Sequence, residues 1–188
     1  MSIPRSILFL DGENLVMRYQ DMVASGRKPD PKVVHIADTF VWHPQVIRWH
    51  ELRKVIRVGC YTSVVGDDAR VTEVRKSIAQ TSYWSMADDS AMHGQIVPIV
   101  FKKPSRSQKT RNVDIEIVID VMRYAFTDEI DRVYLASGDG DYLPLLQEVM
   151  RRGKQVEVLA FSSGLNEQLT YSVDRFLDLD QVFFPPTQ

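Results

Sequence analysis

The chain has 188 residues, of which 44% are hydrophobic and 26% charged, values that are ordinary for a globular protein and exclude a mainly disordered chain. A formal net charge of −2 argues against a protein coated in basic charge, although a local basic patch stays compatible with nucleic-acid binding. The single cysteine, Cys60, excludes an internal disulfide and a cysteine-based zinc site. With no signal-peptide pattern and no apolar run of the ~18 residues that span a membrane, we expect a soluble cytoplasmic protein.

Short apolar runs alternate with amphipathic stretches along the chain. The apolar runs predict strands at about residues 6–10, 55–65, 95–101, 132–136, 155–161 and 175–179. Helices are expected at about 13–24, 44–54, 67–84, 113–126, 141–152 and 165–172. Asp68 is a candidate N-cap of the third helix. One domain over residues 1–182 is expected, with an irregular insertion at about 25–43 and a frayed tail at 183–188.

This alternation of strands and helices predicts an α/β fold, with a mainly parallel central sheet between two layers of helices. Pro98 cannot donate a backbone hydrogen bond, so an interior position in the sheet is unfavourable for the third strand. In such folds ligands bind beyond the carboxyl ends of the strands. The residues that follow the strands are therefore the first candidates for a functional site.

Four aspartates are expected at that edge of the sheet. Asp11 ends the first strand, Asp139 and Asp141 follow the fourth, and Asp114 lies in the first turn of the preceding helix. The predicted inward stripe of that helix consists of Ile117, Val118, Val121, Met122 and Ala125, and Asp114 lies on it, so its carboxylate is expected to face the sheet and not open water. Clustered carboxylates repel one another unless a cation joins them, and hard oxygen ligands without cysteine favour Mg²⁺ or Mn²⁺. Such a metal activates water and stabilises charge on a phosphodiester. Each aspartate taken alone also has a structural explanation, as a turn residue, a helix cap or a first-turn carboxylate.

Residues 102–111 form a basic segment that precedes Asp114 and should border the acidic site. Its cations can hold a phosphate backbone, in a salt-sensitive manner and with little sequence preference; they are Lys102, Lys103, Arg106, Lys109 and Arg111. The alternative is a solvated loop without function. Tyr142 and Trp84 are candidates for stacking on a base, although such aromatics more often pack in a core or loop.

Three segments carry a resemblance to a known family. They are FLDGEN at residues 9–14, NVDIEIVIDVM at 112–122 and YLASGDGDYLPLLQEVMRRGKQVEVL at 134–159. These segments resemble the signatures of the NYN domain family, in particular its LabA-like branch, within the PIN-like nuclease superfamily. The resemblance implies a Rossmann-like sheet with strand order near 3-2-1-4-5 and Mg²⁺- or Mn²⁺-dependent cleavage of RNA. Two departures are Tyr142, where phenylalanine is commoner, and Arg111-Asn112 in place of Lys-Gly.

The resemblance also assigns residues. Asp11, Asp114, Asp139 and Asp141 match the metal-binding acids of the family, and Asn14 and Ser137 match polar positions of its catalytic motifs. Asp120 matches a second aspartate that recurs in the same helix, whereas its helical phase, shared with Glu116 and Arg123, favours a structural role.

The expected function is that of a ribonuclease that hydrolyses single-stranded RNA, with a homodimer or a protein partner also compatible. One alternative is a non-catalytic module that binds RNA or protein. Another is a phosphatase of the haloacid dehalogenase type. That chemistry needs a second aspartate two residues after the first, and Glu13 occupies this position, so the phosphatase ranks low.

Overall fold

A computed structural model describes residues 4–49, 54–87, 90–105 and 111–186. In chain order the strands and α-helices are β1 (Ser6–Asp11), α1 (Gly12–Ala24), β2 (Val34–Ile36), β3 (Phe40–Trp42), α2 (Val46–Trp49), β4 (Val55–Val65), α3 (Asp68–Ala79), β5 (Ser82–Ala87), β6 (Ser90–Gln95), β7 (Val97–Lys103), α4 (Asn112–Phe126), β8 (Arg132–Ala136), α5 (Leu143–Arg151), β9 (Gln155–Ala160), β10 (Arg175–Asp178) and α6 (Asp180–Phe183). Two short 3₁₀-helices, Gly140–Tyr142 and Glu167–Thr170, lie in the loops after β8 and β9.

Six strands form one sheet in the order β10-β9-β8-β1-β4-β7, and every pairing in it is parallel. The predicted strand order 3-2-1-4-5 is confirmed, with β10 added beside β9. All six residues of β1 are buried, because helices cover this central strand on both faces. Within the sheet, β1 lies between β4 on one side and β8 on the other, so the strand order reverses direction at β1. The carboxyl end of β1 is therefore a topological switch point, where such sheets bind ligands.

Alternate residues of β1 enter two separate cores. Leu8 and Leu10 pack with α1, α3 and the hairpin of β2 and β3, whereas Ile7 and Phe9 pack with α4 and α5. The result is the three-layer α/β sandwich that the alternation of elements predicted. The insertion at 25–43 contributes the β2–β3 hairpin to the first of these layers.

The region after α3 differs from the prediction. The helix ends at Ala79 rather than near Trp84, and β5 and β6 form an antiparallel hairpin instead. Tyr83 of this hairpin is buried in the core, and its aromatic packing stabilises the hairpin relative to a continued helix. Asp67, not Asp68, caps α3, since the Asp67 side chain accepts a hydrogen bond from the backbone N–H of Arg70.

Two further helices differ from expectation. The helix predicted at 44–54 is described only as the short α2, and its residues 50–53 lie outside the described ranges. A 3₁₀-helix of four residues replaces the helix expected at 165–172.

The prediction of a frayed tail at 183–188 is also wrong for its first two residues. Phe183 and Phe184 are buried, and Phe184 stacks on Tyr19 with ring centroids 5.5 Å apart. Aromatic packing of this kind outweighs the usual fraying of a terminus.

The position of Pro98 and the end of α5 agree with expectation. β7, which contains Pro98, is an edge strand of the sheet. Gly153 follows α5 with a φ of 75°, in the left-handed conformation that glycine adopts after a helix. Within the described ranges, no helix combines the length and apolar character needed to cross a membrane.

Candidate functional site

Asp11 lies at the carboxyl end of β1 and caps α1. Its Oδ1 accepts a hydrogen bond from the backbone N–H of Asn14 at 3.1 Å, and its Oδ2 accepts one from the hydroxyl of Ser137 at 2.9 Å. Burial raises the pKa of Asp11 to about 7; the charges of Asp114 and Glu13 add to this rise, and the two hydrogen bonds oppose it. Asp11 is therefore a buried carboxyl group that ionises near neutral pH.

The loop after β8 is tied to β1 and α1 by the side chains of Ser137 and Asn14. The Ser137 hydroxyl, which donates to Asp11, also accepts a hydrogen bond from the backbone N–H of Asp139 at 3.2 Å. The Asn14 Oδ1 accepts one from the backbone N–H of Gly138 at 3.1 Å. These bonds hold Asp11 and the 137–139 loop as one unit, so Asn14 and Ser137 position the acids beside them.

Asp139 and Asp141 occupy the start of the 3₁₀-helix in this loop. The Oδ1 of Asp139 accepts a hydrogen bond from the backbone N–H of Asp141 at 2.9 Å, as expected for an N-cap. Asp139 is half-buried, and Asp141 is exposed. The backbone of Asp139 is tied to Asp11 through Ser137, the charges of Asp139 and Asp141 act on Asp114, and Asp141 lies at the outer rim.

Asp114 approaches the same edge from the first turn of α4. Its Oδ1 accepts a hydrogen bond from the buried Tyr142 hydroxyl at 3.2 Å. Partial burial raises its pKa, as do the charges of Asp139, Glu13 and Asp141, while the Tyr142 hydrogen bond lowers it. The predicted convergence of Asp114 with the other acids agrees with these interactions. The expectation that it is shielded from water is wrong, because Asp114 remains exposed.

A fifth carboxylate, Glu13, belongs to the site and was missed as a site residue. It is half-buried in the first turn of α1, accepts a hydrogen bond from the Ser63 hydroxyl and forms an ion pair with the Lys103 ammonium at 3.0 Å. Its charge acts on both Asp11 and Asp114. Its position two residues after Asp11 was the available signal, since the first turn of a helix after a parallel strand faces the ligand edge.

The cations predicted to bind phosphate have different surroundings. Lys103 is paired with Glu13 at the site, whereas the ammonium of Lys102 contacts Asp68 at 3.0 Å on the exposed surface. Arg111 is exposed immediately before α4. Arg106 and Lys109 lie outside the described residues. A role for this segment in holding RNA stays a prediction.

Asp120 and the two candidate stacking aromatics have structural surroundings. Asp120 accepts hydrogen bonds from the Tyr61 hydroxyl at 2.8 Å and from Arg123, in keeping with its predicted structural role. Tyr142 is buried and holds Asp114, so it has no free face for a base. Trp84 is exposed, but its hairpin is bonded to the amino end of β4, at the edge of the sheet opposite Asp11.

In the described part of the chain, no three or more histidine, cysteine, aspartate or glutamate side chains are close enough together, as placed, to hold one metal ion. The carboxylates of Asp11, Asp114 and Asp139 instead accept hydrogen bonds from protein donors. A carboxylate has about four lone-pair sites, so these bonds leave oxygen lone pairs free for a cation. The donor set contains only hard oxygen ligands, the type that Mg²⁺ and Mn²⁺ prefer, and a metal site at these residues stays a prediction.

Two curated proteins are similar to part of this chain. The protein LabA ("low amplitude and bright") of Synechococcus elongatus is 30% identical over 71 residues, and an uncharacterised protein of Methanocaldococcus jannaschii is 28% identical over 72. Each alignment covers 38% of this chain, and the chain spans only 37% and 30% of the length of these relatives. The similarity to LabA supports the LabA-like branch.

The fold and the family are supported over nearly the whole chain. A crystal structure of a Vibrio parahaemolyticus protein of unknown function matches with a TM-score of 0.57 at 16% identity, over 96% of both chains, and therefore shows a shared fold. The model of the NYN domain matches residues 5–180, a range that includes every acid described above. This family lies within the PIN-like nuclease superfamily, which suggests a nuclease. The chain belongs to the NYN domain family.

Proposed function

We propose that this protein is a Mg²⁺- or Mn²⁺-dependent ribonuclease that hydrolyses phosphodiester bonds of single-stranded RNA. The observation that carries the proposal is the surplus of negative charge around Asp11. This buried carboxyl group faces Asp114 and Glu13, and a hydrogen-bonded serine links it to the Asp139 loop. The one cation described in contact with these acids is Lys103, which pairs with Glu13.

A divalent cation relieves this excess of negative charge. Asp11, Asp114 and Asp139 would hold the ion, with Asp141 contributing directly or through water. When bound, the ion supplies Lewis-acid stabilisation of phosphate charge and lowers the pKa of water. Clustered carboxylates are expected to destabilise the folded protein when no ion is bound. The raised pKa values of Asp11 and Asp114 agree with this expectation.

The remaining polar groups of the site would position the acids and the RNA. Ser137 and Asn14 keep Asp11 and the 137–139 loop in register through three hydrogen bonds. Lys103 holds Glu13 and, together with Lys102 and Arg111, offers positive charge for a phosphate backbone. No nucleophilic serine or cysteine is required, and Cys60 is buried with a raised pKa caused by burial, which makes it inert.

Cleavage of a mixed-sequence single-stranded RNA tests the proposal. The wild-type protein is incubated with Mn²⁺ or Mg²⁺, beside EDTA, Asp11→Asn and Asp139→Asn. Asp21→Asn is the matched control, because Asp21 is an exposed aspartate of α1 outside the site. We expect metal-dependent cleavage that Asp21→Asn retains and that the two site variants reduce at least ~100-fold.

Three other outcomes would contradict the proposal. Cleavage that persists in both site variants would indicate a contaminating nuclease. Metal binding by isothermal titration without cleavage of any RNA would favour the non-catalytic RNA- or protein-binding module. Hydrolysis of a generic phosphomonoester, but not of RNA, would favour the phosphatase chemistry.

A further inference from the structure

Helix α4 has an apolar stripe on its solvent side in addition to the one it buries. The buried line consists of Val113, Ile117, Val121 and Ala125. The solvent side carries a second set of apolar side chains, called here the α4 stripe: Ile115, Val118, Ile119, Met122 and Phe126. Ile115, Ile119 and Phe126 are 52%, 43% and 47% exposed, Val118 is 38% exposed, and Met122 is half-buried.

The spacing of the α4 stripe defines a single surface. Ile115, Ile119, Met122 and Phe126 follow one another at intervals of four, three and four residues, which places them along one side of a helix. Single exposed apolar residues are common on proteins, but a contiguous row over three turns marks a contact surface. Arg152 covers one face of the Phe126 ring at 3.7 Å from its centroid, and Met122 packs partly on the core, so water covers chiefly Ile115, Val118 and Ile119. A partner that buries these side chains would be favoured.

Two charged residues flank the α4 stripe on the same side. Glu116 lies near the amino end of the helix and Arg123 two turns later, near the carboxyl end. Glu116 is half-buried, its charge acts on the Tyr61 hydroxyl, and no ion pair joins it to another residue in the described ranges. Arg123 pairs with Asp120, yet its side chain remains 60% exposed. The flank thus presents a negative end and a positive end, which makes it complementary to a reversed copy of itself.

We propose that a second copy of this chain binds here, with the two α4 helices antiparallel and a two-fold axis between Ile119 and Met122. An antiparallel pair brings equivalent flanks together with their ends exchanged. Glu116 of each copy then faces Arg123 of the other, so two opposite-charge pairs border the apolar centre. A parallel two-fold pair would instead place the two flanks on opposite sides of the interface, where Glu116 and Arg123 do not meet. The acidic end and the apolar centre make the same surface a poor site for RNA.

The dimer leaves the candidate active site open. Asp114 projects about 100° around α4 from Ile115, and the two copies of Asp114 lie at opposite ends of the antiparallel pair. Because one helix from each copy forms the centre, the contact is at the lower end of specific interface sizes. Micromolar rather than nanomolar dissociation is expected.

Sedimentation equilibrium of the full chain over a wide concentration range tests the proposal. Glu116→Arg alone and Arg123→Glu alone each place two like-charge pairs at the interface and should weaken association about tenfold or more. An equimolar mixture of the two variants should associate like wild type, because every facing pair is then opposite in charge. Glu73→Arg, on the exposed surface of α3, is the control of equal charge change and should not alter association.

Circular dichroism and thermal melting of each variant first establish that it folds, since Arg123→Glu also removes the pair with Asp120. Ile119→Asp, which changes the centre without altering the flanks, should abolish association. A wild-type chain that stays monomeric at all concentrations would overturn the proposal. So would association that survives Ile119→Asp, or a mixture of the two charge variants that associates no better than either alone.

Discussion

Replacing Asp11 by asparagine should stabilise the metal-free protein at alkaline pH while leaving it little changed in acid. The pKa of Asp11 goes from an ordinary 3.8 to about 7 on folding, chiefly because the carboxyl group is buried. Below pH ~4 it is protonated in both the folded and the unfolded chain. Between pH ~4 and ~7 only the folded chain keeps the proton, so the free energy of unfolding falls as the pH rises. Above pH ~7 Asp11 is ionised in both states, so its titration lowers the free energy of unfolding no further.

The magnitude follows from the size of this change. Ionising Asp11 in the folded protein costs about 4 kcal/mol in total, of which about 3 kcal/mol appears between pH 5 and pH 8. Asparagine is nearly isosteric; its oxygen can still accept from the Asn14 backbone N–H, and its amide can donate to Ser137. The difference in unfolding free energy between Asp11→Asn and wild type should therefore shift by about 3 kcal/mol in favour of the variant from pH 5 to pH 8.

Urea unfolding in EDTA, followed by tryptophan fluorescence at pH 5 and pH 8, measures this difference. Asp21→Asn is the control, since Asp21 is exposed on α1 and should show no such shift. Adding Mn²⁺ at pH 8 should stabilise wild type and not Asp11→Asn. An equal pH dependence of stability in wild type and Asp11→Asn would refute the burial of Asp11, whatever the outcome with metal.

Three substitutions test packing around the site and in the core by urea unfolding at pH 7. Gly12→Ala should cost about 2 kcal/mol, because the added Cβ would lie 2.9 Å from the backbone oxygen of Tyr61. Glu157→Ala should cost only about 1 kcal/mol, because Arg132 loses its 3.2 Å ion pair but is partly exposed and keeps its hydrogen bond to Gln155. Phe183→Ala should cost about 3 kcal/mol, as expected for a buried aromatic, and a loss below about 0.5 kcal/mol would show that the tail is frayed after all.

Elements with an unambiguous local pattern were predictable. The strand at 55–65 and the strand at 132–136 have the predicted bounds, since long apolar runs between turn residues leave few alternatives. Asp11 and Asp139 were predictable as neighbours because parallel strands bring their carboxyl ends to one edge. Each of these inferences needs only the local pattern and the rule of strand alternation.

The helical phase of α4 was predicted less well, and the reason is its composition. The predicted inward stripe included Val118, which is exposed, because α4 is apolar on two sides and the pattern alone does not select one. Burial is decided by which side meets β1 and α5. The same ambiguity concealed the α4 stripe and placed Asp114 more deeply than it lies.

The amino-acid sequence by itself determined the α/β class and the acids expected at the carboxyl ends of the strands, because these depend on residue periodicity and on the alternation of strands and helices. The strand order followed from the resemblance to the NYN domain family. Only the tertiary structure decided how those acids are held. The Ser137 hydroxyl reaches Asp11 across 126 residues, and Lys103 reaches Glu13 across 90. Hydrogen bonds and ion pairs act over a few ångströms, so side chains this far apart in the chain can interact only after the sheet has brought their loops together.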